Sequence, residues 1–360
     1  MGANRKKSKK NQNHSSAANS TVCAVAEGMV IKNTGSNFLV LTTDGKEVDC
    51  RIKGTFRLKG IRTTSPIAVG DCVDIAINTD GSAYITNIHQ RTNYIIRKAS
   101  NLSKEASILA ANVDQACLVV TLVHPTTSTT FIDRFLATAE AYRVRTTLVI
   151  NKVDLLDADT MFVPDPSNEE ADEEQMANDE EFSERDLLEA ITHLYRSIGY
   201  NVLHVSARTG EGLKQLKELL TDKKTLIAGN SGVGKSTLIN QIIPGLNLRT
   251  AQISDVHDTG MHTTTFSEMF PLPDSNGWII DTPGVRGFGT IEFDEHEVSH
   301  FFPEIFHFSH NCRYNDCSHT HEPQCAVLEA LNEQRIAQSR YNSYLSILAD
   351  SEPDKYRKPF

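Results

Sequence analysis

Apolar and polar positions alternate in three different ways along this chain, and each rhythm points to a different architecture. From Val22 to about Arg97 the rhythm is short and strand-like, with runs Glu27–Lys32, Asn37–Leu41, Lys46–Ile52, Asp71–Ile75 and Ala83–Ile88 separated by turn residues such as Thr43-Asp44-Gly45 and Val69-Gly70-Asp71. Five short strands in this length predict a small closed barrel of the oligonucleotide-binding type. From Asn112 to about Phe293, continuous apolar runs (Ala116–Leu122, Thr146–Ile150, Asn201–Val205, Lys224–Ala228) alternate with helical periodicity over Phe131–Tyr142, Arg185–Ile198 and Ser236–Ile243. Strands that are apolar throughout, separated by amphipathic helices, predict a mostly parallel sheet covered on both faces. Beyond about Glu295 the pattern turns helical, and one long helix is expected over Ala326–Leu348, its apolar stripe running through Val327, Leu331, Ile336, Tyr341 and Leu345.

The expected division is therefore a basic, disordered tail (1–21), a barrel (22–98), an α/β domain (99–294) and a helical C-terminal domain (295–360). A chain of 360 residues has room for several cores of this kind. Its formal net charge of −10 argues against a protein that coats nucleic acid without specificity. That average hides an acidic insertion, 165–184, which holds ten acids and no lysine or arginine; outside it acids and bases balance. The barrel has basic positions of its own in and after its third strand, Arg51, Lys53, Arg57, Lys59 and Arg62, which suit an RNA backbone. No run is apolar enough to cross a membrane and the tail lacks the apolar core of a signal peptide, so a cytoplasmic protein with no membrane partner is expected.

The chemistry begins at Gly229, Asn230, Ser231, Gly232, Val233, Gly234, Lys235 and Ser236, with Thr237 after them. This run fills G-x-x-x-x-G-K-[ST] between an expected strand and an expected helix. Backbone N–H groups of such a loop surround a β-phosphate, Lys235 reaches the β- and γ-phosphates, and the Ser236 hydroxyl takes a Mg²⁺ position. Asp281 ends the strand Gly277–Ile280 and opens D-x-x-G with Gly284, placing a carboxylate near the metal and an N–H near the γ-phosphate. Asn151-Lys152-Val153-Asp154 closes another strand in the form that selects guanine, since Asp154 can accept from N1–H and the exocyclic amine together. Asn151 braces that loop, Lys152 covers the base, and Ser206-Ala207 completes the pocket with backbone N–H groups. In Gly260–Thr265 one threonine is expected to ligate Mg²⁺ only while the γ-phosphate is present. Thr264 is favoured over Thr263 and Thr265. Val285 follows Gly284 where many GTPases carry a glutamine that orients water, so His262 is the candidate for that task.

The guanine motif and Ser206-Ala207 precede the phosphate loop, the reverse of the ordinary order, so the domain is read as circularly permuted. The segment after Gly284 then leads directly into the C-terminal domain, where a nucleotide-dependent shift can pull on it. In that domain Cys312, Cys317, His319 and Cys325 have the spacing C-x₄-C-x-H-x₅-C, a closed set for one structural Zn²⁺, with His310 and His321 as other possible nitrogen donors.

These motifs, in this order, together with the barrel and the cysteine cluster, closely resemble the ribosome small-subunit-dependent GTPase A family from about Val22 to the end of the chain. The resemblance implies a monomeric GTPase that uses GTP/GDP, Mg²⁺ and Zn²⁺. Such an enzyme binds the small ribosomal subunit late in its maturation, contacts ribosomal RNA through barrel and zinc domain, and is stimulated by the subunit. It also implies His262 as the hydrolytic residue, beside Lys235 and Thr264. The acidic insertion lies outside the family pattern.

Overall fold

The computed structural model describes residues 22–52, 66–98, 106–157, 160–161, 183–248, 267–281 and 296–351. The strands are β1 (Val22–Asn33), β2 (Phe38–Thr42), β3 (Glu47–Ile52), β4 (Cys72–Asn78), β5 (Ala83–Ile88), β6 (Tyr94–Lys98), β7 (Ala106–Ala111), β8 (Gln115–Val120), β9 (Thr146–Ile150), β10 (Asn201–His204), β11 (Lys224–Ala228), β12 (Glu268–Pro271) and β13 (Trp278–Asp281). The helices are α1 (Thr129–Ala141), α2 (Glu184–Ile198), α3 (Leu213–Leu220), α4 (Lys235–Ile242), α5 (Pro303–Ser309), α6 (Ala326–Asn332) and α7 (Gln338–Ser351).

The first five strands close a barrel. β1 pairs with both β2 and β4, β2 with β3, β3 with β5 in parallel, and β5 with β4. Val30, Phe38, Val40, Cys50, Val73, Ile75 and Ile85 fill its interior, the alternate positions that the strand rhythm marked. Asp71, fully buried beneath it, accepts from Arg91 Nε and a terminal guanidinium nitrogen, both at 2.6 Å, and from the Ala68 N–H at 2.9 Å. Of the basic positions, Arg51 is exposed on β3; Lys53, Arg57, Lys59 and Arg62 lie outside the described residues.

β6 and β7 form an antiparallel ribbon that the hydrophobic pattern did not suggest, and it straddles the boundary expected at residue 98. It docks on the barrel where the Ala111 N–H donates to Val69 O at 2.9 Å. A Cβ on Gly70, whose φ is 87°, would stand 2.1 Å from Ala111 O, so only glycine allows that approach.

The second sheet runs β10-β9-β8-β11-β13-β12. It is parallel except for β12, which pairs antiparallel with β13 and also meets β1 of the barrel through Lys32 and Glu268 (2.8 Å). Every residue of β8 and β9 is buried, as their unbroken apolar runs require. Ser128 caps α1 by accepting from the Phe131 N–H, and Ser183 with Asp186 forms a capping box on α2. Met161 and Ser183 pair as an antiparallel bridge, so the two ends of the acidic insertion meet. Its residues 165–182 lie outside the described residues, and Glu184 belongs to α2.

The expected single helix over Ala326–Leu348 is two, α6 and α7. Gln334 adopts φ 58°, the Arg335 N–H reaches back to Ala330 O (2.8 Å), and the Gln334 N–H reaches Leu331 O (2.9 Å). That pair of bonds ends a helix with a left-handed residue, usually a glycine, and a glutamine there gives no signal in sequence. α7 then packs on α1. Arg340, 1% exposed, donates to Asp133 at 2.8 Å and to both oxygens of Glu304 at 2.6 and 3.0 Å, while the Tyr195 hydroxyl donates to Asp133 at 2.7 Å. Among the described residues this buried network ties the C-terminal helices to the α/β layer; the segment 282–295, expected to transmit a pull, lies outside them.

Candidate nucleotide and metal sites

The nucleotide motifs within the described residues lie at the carboxyl edge of the parallel strands, the edge where open α/β sheets bind ligands. Val120 and Ile150 are register partners, Ile150 pairs with His204, and Ile227 pairs with Asp281. From these ends emerge Asn151, Val205, Gly229 and the Asp281 carboxylate, so residues far apart in sequence reach one edge.

The phosphate loop connects β11 to α4. Gly229 has φ 144°, and a Cβ on it would come 2.1 Å from Val119 O. Gly234 precedes the helix with φ 93°; a Cβ there would fall 2.4 Å from Asn151 Nδ2. Both glycines are required by backbone conformation and by close approach. With glycine at the cap, no cap side chain hydrogen-bonds the N–H groups of the first turn of α4, which carries Lys235, Ser236 and Thr237. Lys235 Nζ donates to the carbonyls of Gly229 and Asn230, both at 2.7 Å, folding over the loop it would share with phosphate. Burial pushes the Lys235 ammonium down to about 8, against the pull of the Asp281 carboxylate. Ser231 and Gly232 are exposed, Val233 is buried, and Asn230, Ser236 and Thr237 are half-buried.

One side chain joins the three motifs. Asn151, 2% exposed, donates through Nδ2 to Val233 O of the phosphate loop (2.7 Å) and accepts through Oδ1 from the Ala207 N–H (3.2 Å). The amide offers a donor and an acceptor at fixed geometry, so one residue sets the base loop, the Ser206-Ala207 turn and the phosphate loop relative to one another. Ser206 Oγ in turn donates to Asp154 Oδ1 (2.5 Å) and accepts from the Thr209 N–H (3.1 Å), aiming the carboxylate expected to read guanine. Lys152 takes φ 64° and donates to His124 O, which brings the loop after β8 beside the base motif. In the same loop Pro125 stands 3.5 Å from where a Gly232 Cβ would be. Sequence reasoning missed the part played by residues 121–128, whose signal was only a turn between a buried strand and a capped helix. His262, Thr264 and Gly284 lie outside the described residues.

In the C-terminal region Cys312, Cys317, His319 and Cys325 converge, their ligand atoms all within 4.8 Å of one another. His319 Nδ1 is 3.6 Å from Cys312 Sγ and 3.5 Å from Cys325 Sγ, and those two sulfurs are 3.9 Å apart. A tetrahedral Zn²⁺ with sulfur at ~2.3 Å and nitrogen at ~2.0–2.1 Å has edges of about 3.8 Å between sulfurs and about 3.5 Å from sulfur to nitrogen. The cluster therefore fits zinc in size as well as in donor type, and His319 is the nitrogen that joins it. Its support is rigid: Tyr341 donates its hydroxyl to His319 O (2.8 Å) and Tyr344 to Ser318 O (2.7 Å). Burial opposes charge on Glu322, but donors from Ser318, Thr320 and His321 hold its carboxylate below the usual range and close the turn between the last two ligands.

Comparison with known proteins agrees with this construction. A family model described as the RsgA GTPase matches residues 88–177 and 174–291, and one described as the RsgA N-terminal domain matches 27–85. The chain is 53% identical over 334 residues to the small ribosomal subunit biogenesis GTPase RsgA of Bacteroides fragilis, covering 93% of this chain and 100% of the relative. It is 54% identical over 338 residues to the protein of that name from Porphyromonas gingivalis, with the same coverage. The crystal structure of YjeQ from Thermotoga maritima superposes with a TM-score of 0.67 at 33% identity, covering 91% of this chain and 99% of that one. YloQ, described as a circularly permuted GTPase, gives 0.64 at 28% identity, over 98% and 100%. With its closed barrel, its motif order and matches that span most of its length, the chain belongs to the RsgA family of GTPases.

Proposed function

We propose that this GTPase acts on the small ribosomal subunit late in its maturation, that the subunit stimulates its hydrolysis of GTP to GDP and phosphate, and that hydrolysis times its release. The observation that carries the nucleotide half of the reading is the Asn151 side chain, which couples base loop, Ser206-Ala207 and phosphate loop through two hydrogen bonds. The ribosomal half rests on relatives more than half identical over their whole length, whose name is small ribosomal subunit biogenesis GTPase.

In this reading Asp154, aimed by Ser206, accepts from guanine while Lys152 covers the base, and the N–H groups from Gly229 to Thr237 take the phosphates. Lys235 leaves the Gly229 and Asn230 carbonyls for the β- and γ-phosphates, where the anion restores its full charge. Ser236 and Thr264 would hold Mg²⁺, with Asp281 close by and Gly284 at the γ-phosphate; when bound, the ion neutralises charge between the phosphates. His262 orients the attacking water in place of the glutamine that Val285 replaces. Cys312, Cys317, His319 and Cys325 hold one structural Zn²⁺.

The barrel (22–98) and the zinc-bearing domain (295–360) flank the permuted α/β domain (99–294) and contact ribosomal RNA. The chain works as a cytoplasmic monomer, and among the described residues no helix is long and apolar enough to cross a membrane. Co-sedimentation with purified small subunits tests the partner. The chain should pellet with them in a non-hydrolysable GTP analogue and be released in GDP, and equal recovery in both states would remove hydrolysis as the timer of release.

A further inference from the structure

At the metal cluster, a cavity of about 430 Å³ opens between the start of the C-terminal region and the loop joining Cys312 to Cys317, and Cys317 and His319 themselves form part of its wall. That volume is in the range of small-molecule sites. Its walls include His296, His300, Tyr314, Asn315, Asp316 and the buried Tyr344. None of these groups has a task in GTP binding or hydrolysis.

The loop Arg313-Tyr314-Asn315-Asp316 is exposed along its whole length, yet Cys312 and Cys317 anchor both of its ends. It presents an aromatic face, an amide and a carboxylate together. The Arg313 guanidinium lies 5.5 Å from the centroid of the Tyr314 ring and donates to Gln324 Oε1 (3.1 Å), so positive charge stands beside a ring that lines the cavity. Tyr314 is 41% exposed, unusual for a ring so close to a buried cluster. His300, also in the wall, begins a row of rings that leads away from it: its centroid is 4.9 Å from that of Phe306, which is 4.6 Å from that of His310. Phe306 is itself 38% exposed.

The Tyr314 and His300 rings at the cavity wall, the hydrogen-bonding groups of Asn315 and Asp316 in the same wall and a cation beside Tyr314 are what an unpaired base of single-stranded nucleic acid requires. The ring stacks on the π-face, the amide and carboxylate meet the base edge, and the guanidinium takes the adjoining phosphate. A membrane surface would want a broad basic or apolar patch, and Asp316 within the wall disfavours one. We infer that this cavity receives one unpaired RNA base, stacked on Tyr314 and read at its edge by Asn315 and Asp316, with the His300–Phe306–His310 row supporting a neighbouring base. The choice of RNA over DNA rests on the ribosomal reading above; the chemistry of the pocket does not.

The test uses the full chain and a hexaribonucleotide carrying 4-thiouridine. Ultraviolet crosslinking followed by peptide mapping should find the label on the peptide holding Tyr314, and crosslinks confined to residues 22–98 would overturn the inference. In fluorescence anisotropy, Tyr314→Ala should weaken the hexamer roughly five- to a hundredfold and Tyr314→Phe should bind like the original chain, because stacking on one ring is what is lost. Equal affinity for all three proteins, or equal competition by a duplex of the same sequence, would also overturn it. Unchanged thermal unfolding of Tyr314→Ala, whose ring is exposed, shows that the fold survives. A chain that crosslinks at Tyr314 yet fails to pellet with small subunits supports the pocket while refuting the ribosomal assignment, so the two failures are distinguishable.

Discussion

Arg340 is the pivot on which the C-terminal helices meet the nucleotide-binding layer, and replacing it with leucine is the most revealing structural perturbation. Its guanidinium serves Asp133 of α1 and Glu304 of α5 at 2.6–3.0 Å and lies 4.6 Å from the Phe302 ring centroid. Arg340→Leu retains much of the aliphatic packing but leaves Asp133, 0% exposed, with no cation. Removing one partner of a buried pair costs ~3–5 kcal/mol, most of it the uncompensated charge that stays behind. The cost should depend on pH, and its sign follows from Asp133. Burial already pushes that carboxyl up and Arg340 pulls it back; without Arg340 it rises further. A folded-state pKa above the unfolded value near 3.9 means that the native state binds more protons across the window between them, so stability falls as pH rises there, by up to ~1.4 kcal/mol per unit. Arg340→Leu should thus lose least near pH 5 and most near pH 8. Adding Asp133→Asn should return part of the loss at pH 8, since the charge is gone. Denaturant unfolding at the two pH values measures the loss, and hydrogen exchange in α1 and α7 locates it. A deficit below ~1 kcal/mol, or one equal at both pH values, would mean that Asp133 is not left as a buried, uncompensated charge.

Three further outcomes follow from the sites. Asp154→Asn removes the acceptor aimed at guanine and should weaken GTP binding by roughly tenfold to a hundredfold or more, while xanthosine triphosphate, whose added carbonyl accepts from the new amide, should gain; a nucleotide-competition assay reads both. Lys235 loses its proton near pH 8 in the free protein and regains it against phosphate, so nucleotide affinity should fall by up to about tenfold per pH unit above 8; Lys235→Arg should flatten that slope, as titration across pH 7–9.5 would record. Cys317→Ala should abolish stoichiometric zinc in elemental analysis and loosen the C-terminal helices, with exchange protection lost first at Tyr341 and Tyr344, whose hydroxyls hold the ligand loop.

How much of this was visible in the chain follows from where the information sits. The parallel strands were legible because burial on both faces makes them continuously apolar, as the fully buried β8 and β9 demonstrate. The nucleotide motifs were legible because phosphate and guanine chemistry fixes residue types at fixed offsets, and their inverted order marks the permutation in the sequence itself. Long-range pairing left no local trace: Arg340 and Asp133 lie 207 positions apart, and Asn151 meets Val233 across 82. The β6–β7 ribbon was lost because neither strand is strictly alternating nor uniformly apolar, and the α6–α7 break because a glutamine takes the left-handed position that glycine usually marks.

Whether the small ribosomal subunit switches on this permuted GTPase is read from GTP turnover of the full chain with and without purified small subunits. Turnover should be slow alone, strongly accelerated by small subunits and not by large subunits, and His262→Ala should lose that acceleration with GTP binding intact. Equal rates with and without small subunits would contradict that switching.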